Sequence, residues 1–154
     1  MKKTILLCLL IAVGFTAFAQ DKKTEEVKKT LAAYKAAMEK QDKDAMKNLF
    51  AEDAMVYENG DPGDKAADFL KEHMYPEFDM FSSFTYDNYK ADIVVSGNYA
   101  YTTETFNYTI VLKKDGKPIV PSSMGVATAV LNKSASGWKI ISYHSSYRKQ
   151  KPSN

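Results

Sequence analysis

Residues 137–146, which read GWKIISYHSS, are the most informative segment of the chain. A Ser- and Gly-rich turn precedes them, and bulky residues occupy both alternating sets, so they predict a strand inside a sheet rather than at its edge. Because Lys139 requires water, we expect its set to face outward. The opposite set should then face the interior that the sheet encloses, and it includes His144. That set is Trp138, Ile140, Ser142 and His144.

Three more strands are predicted upstream, where hydrophobicity alternates with a period of two. They cover residues 84–95, 99–112 and 119–131. Gly97-Asn98, Asp115-Gly116 and a Ser-rich turn separate the four strands, and these residue types are typical of tight antiparallel connections. The pattern predicts an antiparallel meander.

The N-terminal half predicts three helices and one short strand. The first helix is predicted to start near Thr24, which can serve as its N-cap. It carries an apolar stripe at helical spacing, made of Val27, Leu31, Tyr34 and Met38. A second helix starts near Asp44, a short strand covers residues 54–57, and a third helix runs from a cap at Asp64 to Pro76, which should end it. Since the stripe must be buried, we expect it in the concave face of a bent antiparallel sheet, giving an α+β cone with a cavity.

Residues 1–20 have the features of a secretory signal peptide. Lys2 and Lys3 precede an apolar run at residues 5–13, and Ala17-Phe18-Ala19 is a small-x-small cleavage site. Cleavage after Ala19 would remove Cys8, the sole cysteine, so the mature chain would lack disulfides. The sequence thus predicts a secreted or periplasmic protein with one domain at residues 20–154 and its core at about residues 24–147.

Charge and motifs argue against several classes of partner. The chain has 21 basic and 19 acidic residues, and removing Lys2 and Lys3 leaves 19 of each. We therefore expect no nucleic-acid partner, and no membrane partner once the signal is removed. His73 and His144 lie on separate elements and phosphate-binding glycine loops are absent, so we expect neither a metal nor a cofactor.

Residues 75–84 are unusually rich in aromatic residues and methionine, which suit either an irregular core or an adaptable wall for an apolar ligand. Both interpretations remain open at this point. We predict a pocket for a small apolar or amphipathic molecule, lined by Tyr34, Met38, Phe69, His73, Phe78, Phe81, Tyr101 and His144.

The chain resembles the nuclear transport factor 2-like superfamily, and within it the SnoaL-like small bacterial domains. The resemblance rests on LFAEDA at residues 49–54, SGNYAY at residues 96–101, and GWKI with HSS in the last strand. It implies a curved antiparallel sheet wrapped around three helices and a homodimer formed through the outer sheet face. It implies no single function, since members include isomerases, dehydratases, epoxide hydrolases, polyketide cyclases and non-enzymatic binding modules.

Residues 34–58 are also similar to ketosteroid isomerase without gaps. The resemblance places Tyr34 on the oxyanion-hole tyrosine and Glu58 on the carboxylate that removes a proton next to a carbonyl. The isomerase has a second oxyanion-hole acid on the next-to-last strand. Residues 125–129 read GVATA here, so that acid has no counterpart.

Three functional hypotheses follow. The first is a binding module, in which His144 belongs to a polar patch that fixes a carboxylate or carbonyl of the ligand. The second is a proton-transfer enzyme with Glu58 or His144 as base and Tyr34 as partner. In this hypothesis Glu104 or Tyr101 would orient His144. The alternative for Glu58 is a solvated loop acid at the mouth of the cavity. The third is an interaction module that docks a protein on an outer sheet face including Ile141 and Tyr143.

Overall fold

The computed structural model describes the backbone of residues 2–113 and 118–149, and the side chains of residues 20–113 and 123–148. The elements in chain order are α1 (Lys2–Lys40), α2 (Lys43–Leu49), β1 (Phe50–Glu58), β2 (Asp64–Lys65), α3 (Ala66–Phe69), a π-helical turn (Leu70–Met74), α4 (Tyr75–Met80), β3 (Phe81–Ser96), β4 (Tyr99–Leu112), β5 (Pro118–Ser134) and β6 (Gly137–Lys149). In the part of the chain described, no helix combines the length and apolar character needed to cross a membrane. The predicted turn at Asp115-Gly116 and the side chains of the predicted signal segment lie outside the described residues.

Six strands form one sheet in the order β2-β1-β6-β5-β4-β3. β6 lies between β1 and β5, which confirms the prediction that the last strand is internal. Helices cover one face of this curled sheet, so the predicted α+β class is confirmed. One pairing differs from the expected antiparallel sheet, because β1 runs parallel to β6 and the sheet is therefore mixed. Residues 59–136 supply the long connection that a parallel pair requires.

The predicted helical stripe is the centre of the core. Val27, Leu31, Tyr34 and Met38 are all buried, and α1 packs across β3 and β6. Thr24 does not cap α1, because the helical backbone already begins at Lys2 and the Thr24 hydroxyl donates back to the Gln20 carbonyl at 3.0 Å. The apolar spacing thus located the buried face correctly, although the helix start was wrong.

The third predicted helix continues past Pro76. A π-helical turn follows α3, and Pro76 lies in the first turn of α4, where its fixed φ angle is compatible with a helix. Asp64 is part of β2, and the residue at the N-cap of α3 is Lys65. The result is one continuous helical segment, residues 66–80, beside the open end of the sheet.

A β-bulge at Ile141 changes the inward face of β6. Val130 pairs with Ser142 while the next residue, Leu131, pairs with Ile140, so Ile141 is an extra residue on β6. Trp138 and Ile140 face inward before the bulge, as predicted, and both are buried. After the bulge the alternation is inverted. Tyr143 is buried and His144 is exposed, which reverses the predicted orientation of both side chains.

Candidate functional site

The concave face of the sheet encloses a cavity of about 360 Å³. Its walls come from α1, the helical segment at residues 66–80 and strands β1 and β3–β6. Nine aromatic residues and three methionines dominate the lining, with two carboxyl groups among the polar contributors. The lining residues in the described part of the chain are Tyr34, Met38, Glu58, Phe69, Met74, Glu77, Met80, Phe81, Phe84, Tyr86, Phe106, Tyr108, Ile110, Gly125, Tyr143, Ser145, Ser146 and Tyr147.

Half of the predicted pocket residues lie on this cavity. Tyr34, Met38, Phe69 and Phe81 line it. Phe78 instead packs in the core at 2% exposure, because it follows Met74 by one helical turn on the buried side of α4. His73 is exposed, with its ring tilted against that of Phe69 at 5.6 Å.

Tyr101 and His144 point away from the cavity, contrary to the prediction. Tyr101 is 52% exposed because the opposite set of β4 residues is buried; that set is Ala100, Thr102, Glu104, Phe106 and Tyr108. His144 lies between Tyr143 and Ser145, both of which line the cavity, so it faces the other side of β6. The structure therefore gives His144 no access to a ligand in the cavity.

Aromatic rings form a continuous wall along β3 and β4. The rings of Phe84 and Tyr108 stack at 5.4 Å with 6° between their planes, and Tyr86 meets Phe84 and Phe106 edge-on at 4.9 and 5.0 Å. Gly125 makes room for this wall, since a Cβ built at Gly125 would lie 2.3 Å from the Phe106 ring. The absence of a side chain at Gly125 lets the Phe106 ring lie against β5.

Two buried tyrosines lie side by side on the cavity wall. The rings of Tyr34 and Tyr143 are 5.0 Å apart between centroids, with 35° between their planes. Burial raises the pKa of both phenols well above the ordinary value. Both therefore stay neutral at physiological pH and can donate hydrogen bonds. Sequence reasoning missed Tyr143 because the bulge that turns it inward has no clear sequence signature.

Glu58 stands at the end of β1, where the strand reaches the cavity, and it is half-buried. The Ser145 hydroxyl on the adjacent β6 donates to Glu58 Oε1 at 3.4 Å. Burial raises the pKa of the Glu58 carboxyl, and the negative charge of Asp61 adds to the rise, while Ser145 and His73 oppose it. The structure thus gives Glu58 access to the cavity together with a weakened preference for the charged form.

Glu77 is a second carboxyl at the same cavity, and sequence reasoning did not single it out. It lies on α4 at the exposed rim. Partial burial and the negative charge of Glu58 raise the pKa of Glu77, and His73 lowers it. The sequence could have indicated this residue only if α4 had been predicted to continue beyond Pro76.

Glu104 is the deepest acid, at 2% exposure on the inward face of β4. The Tyr89 hydroxyl donates to one carboxyl oxygen at 2.7 Å, and the Thr102 hydroxyl donates to the other at 3.1 Å. Burial raises the pKa of Glu104. Its hydrogen-bond partners are thus on its own side of the sheet, so it does not orient His144 as hypothesised. Among the described residues, no three His, Cys, Asp or Glu side chains come together as a metal site.

Comparison with solved structures identifies proteins of the same fold. A candidate dehydratase of the NTF2-like family from Streptomyces avermitilis aligns with a TM-score of 0.72 and 21% identity over 84% of this chain and 99% of that one. An NTF2-like superfamily protein from Salmonella enterica aligns with a TM-score of 0.67 and 22% identity over 86% and 95%. A ketosteroid isomerase-like protein from Erwinia carotovora aligns with a TM-score of 0.65 and 23% identity over 80% and 94%.

These identities are low, so the structural likeness concerns the fold alone. A search of curated proteins gave no match. The model of the SnoaL-like domain family matches residues 27–149, which covers most of the chain and every strand of the sheet. The chain therefore belongs to the SnoaL-like domain family and has the NTF2-like fold.

Proposed function

We propose that this domain binds a small apolar or amphipathic molecule in its concave cavity. The observation that carries the proposal is the composition of the cavity wall, in which aromatic rings and methionines surround about 360 Å³. This volume lies within the roughly 300–1,000 Å³ typical of small-molecule sites. Methionine and aromatic side chains supply apolar contact, while Tyr34, Tyr143 and Glu58 supply a few fixed polar groups.

The test uses 2-naphthylmethanol as a neutral apolar probe, with binding followed by the fluorescence of the naphthyl ring. Phe69→Ala should weaken binding by roughly 2- to 10-fold, because an aromatic contact contributes about 0.5–1.5 kcal/mol. His144→Ala is the matched control, since it removes an exposed ring from the same domain without touching the cavity. Equal affinity in the wild type and Phe69→Ala would refute the proposed site.

A second candidate is proton transfer next to a carbonyl group, with Glu58 as the base. It is supported by the presence of Glu58 and the Tyr34 hydroxyl on one cavity and by the raised pKa of Glu58, which suits a general base. The test is exchange of the α-protons of 2-tetralone in deuterated water, followed by NMR. Glu58→Gln should remove the exchange that the protein catalyses, by about 10²- to 10⁴-fold. Catalysis that survives in Glu58→Gln would exclude this role.

Export and dimerisation extend the proposal. Cleavage after Ala19 would keep the hydrogen bonds that Gln20 donates to the Val95 carbonyl on β3 and Lys23 donates to the Gly97 carbonyl in the β3–β4 turn. The mass of the protein isolated from the export compartment tests whether cleavage occurs at this position. Val94 on β3 and Tyr101 on β4 are paired neighbours on the outer face of the sheet, and they are 64% and 52% exposed. Such exposed apolar side chains suit an interface between two copies of the chain. Tyr101→Asp should then lower the mass measured by light scattering to that of a monomer.

A further inference from the structure

The charged side chains in the described lining of the cavity are all acidic. Its described lining holds two carboxyl groups, Glu58 and Glu77, and contains no lysine, arginine or histidine. The sequence had suggested the opposite, with His144 as a contact for a carboxylate or carbonyl, but His144 lies outside the cavity. A ligand that enters this cavity therefore meets neutral hydroxyl groups and two carboxyl groups, and no cationic side chain among the described lining residues.

Neither carboxyl has a cationic partner among the described residues. The hydrogen bond to Glu58 comes from the neutral Ser145 hydroxyl, and within the described side chains no ion pair of 4.0 Å or less involves Glu58 or Glu77. The charged groups that act on Glu58 are Asp61 and His73, and those that act on Glu77 are Glu58 and His73. Some other acids of this domain have a cationic partner; Glu26, for instance, pairs with Lys133. Half-buried Glu58 thus lacks the counter-ion that buried charges usually have.

Aromatic rings line the same cavity as both carboxyl groups. Tyr108 and Tyr147 meet edge-on at 6.0 Å, and the negative charges of Glu58 and Glu77 both contribute to the pKa of the Tyr108 phenol, which burial raises to about 12. Carboxylates attract a cation through Coulomb attraction, and aromatic rings add to this attraction where the cation meets a ring face. The same arrangement disfavours an anion.

We propose that the ligand of this cavity is a lipophilic amine, whose ammonium group lies beside Glu58 near the rim residue Glu77 and whose apolar body packs against Phe84 and Phe106. This inference rests on the proposed binding function and names its ligand class. Glu58 contributes more than Glu77, because it is half-buried whereas Glu77 is exposed to solvent and screened.

The test compares three probes of one shape: 2-naphthylmethylamine, 2-naphthylmethanol and 2-naphthoate. At neutral pH the amine should bind at least about tenfold more tightly than the alcohol, which is about 1.4 kcal/mol, and the carboxylate should bind least tightly. The ratio of amine to alcohol affinity should fall strongly in Glu58→Gln and less in Glu77→Gln. Glu72→Gln, an exposed acid on the adjacent π-helical turn, should leave the ratio unchanged.

A measurement on the wild type alone gives a second check. As the pH falls and the carboxyl groups take up protons, the amine should lose its advantage over the alcohol, since the amine stays protonated throughout. Alcohol binding without a preference for the amine would overturn this inference and leave the proposed binding function standing. An amine preference that persists in the Glu58→Gln, Glu77→Gln double variant would also overturn it. Failure of all three probes to bind would count against the binding function itself.

Discussion

Gly125→Ala tests whether the shape of the cavity depends on one missing side chain. The added Cβ would lie 2.3 Å from the Phe106 ring, whereas ordinary contact begins at 3.4 Å, so the ring must move by about 1 Å. Tyr86 and Tyr108 border the ring at 5.0 and 6.2 Å between centroids, so the space open to it is the cavity. The substitution should therefore both strain the core and reduce the cavity.

The expected cost follows from two opposing effects. Overpacking of this size destabilises a core by typically 1–3 kcal/mol. Replacing glycine by alanine stabilises a protein by about 0.4–1 kcal/mol where alanine fits the backbone angles, because it restricts the unfolded chain. This applies at Gly125, which is not among the glycines with positive φ. We expect a net loss of about 1–2 kcal/mol in the free energy of unfolding. 2-Naphthylmethanol should also bind less tightly.

Urea denaturation of a double-mutant cycle with Phe106→Leu measures this coupling. The smaller leucine relieves the clash, so Gly125→Ala should cost much less, or stabilise slightly, in the Phe106→Leu background. A coupling energy of about 1 kcal/mol or more is expected for two residues in direct contact. If Gly125→Ala costs the same in both backgrounds, the ring position does not depend on Gly125 and the reasoning fails.

Three further substitutions test the electrostatics of the domain. Burial raises the pKa of Glu58 in the folded state, so ionisation of Glu58 favours the unfolded state. The stability of the wild type therefore falls as the pH rises from the unfolded pKa through the folded pKa. Glu58→Gln should raise Tm at neutral pH and lose this advantage in acid. Glu26→Gln should have the opposite pH profile, because the hydrogen bond from Lys133 lowers the pKa of Glu26. The stability that ionised Glu26 contributes is present above its unfolded pKa and is lost as the pH falls through its folded pKa. A Tm difference between Glu26→Gln and the wild type that persists in acid would contradict this. Tyr89→Phe should lower the free energy of unfolding, measured by urea denaturation, by about 1–3 kcal/mol, because one oxygen of buried Glu104 loses its 2.7 Å hydrogen bond. A change below about 0.5 kcal/mol would show that Glu104 finds another donor.

The site was harder to predict than the fold, and particular residues show why. Tyr34, Met38, Phe69 and Phe81 were identified because apolar periodicity on a helix or an aromatic-rich segment locates a buried face. His144 and Tyr101 were placed on the cavity from strand alternation alone. Alternation divides a strand into two sets but does not say which set faces inward, and a single extra residue exchanges them.

The sequence by itself determined the succession of helices and then long strands, the buried stripe of α1, the bounds of β4 and the internal position of β6, because these depend on local periodicity and turn chemistry. Only the tertiary structure decided that Ile141 is a bulge, that β1 runs parallel to β6, and that Glu77 stands near Glu58 at one cavity. These features arise from pairing and packing between segments that are far apart in the chain. The local sequence is compatible with more than one such arrangement, so the energy of the whole sheet selects among them.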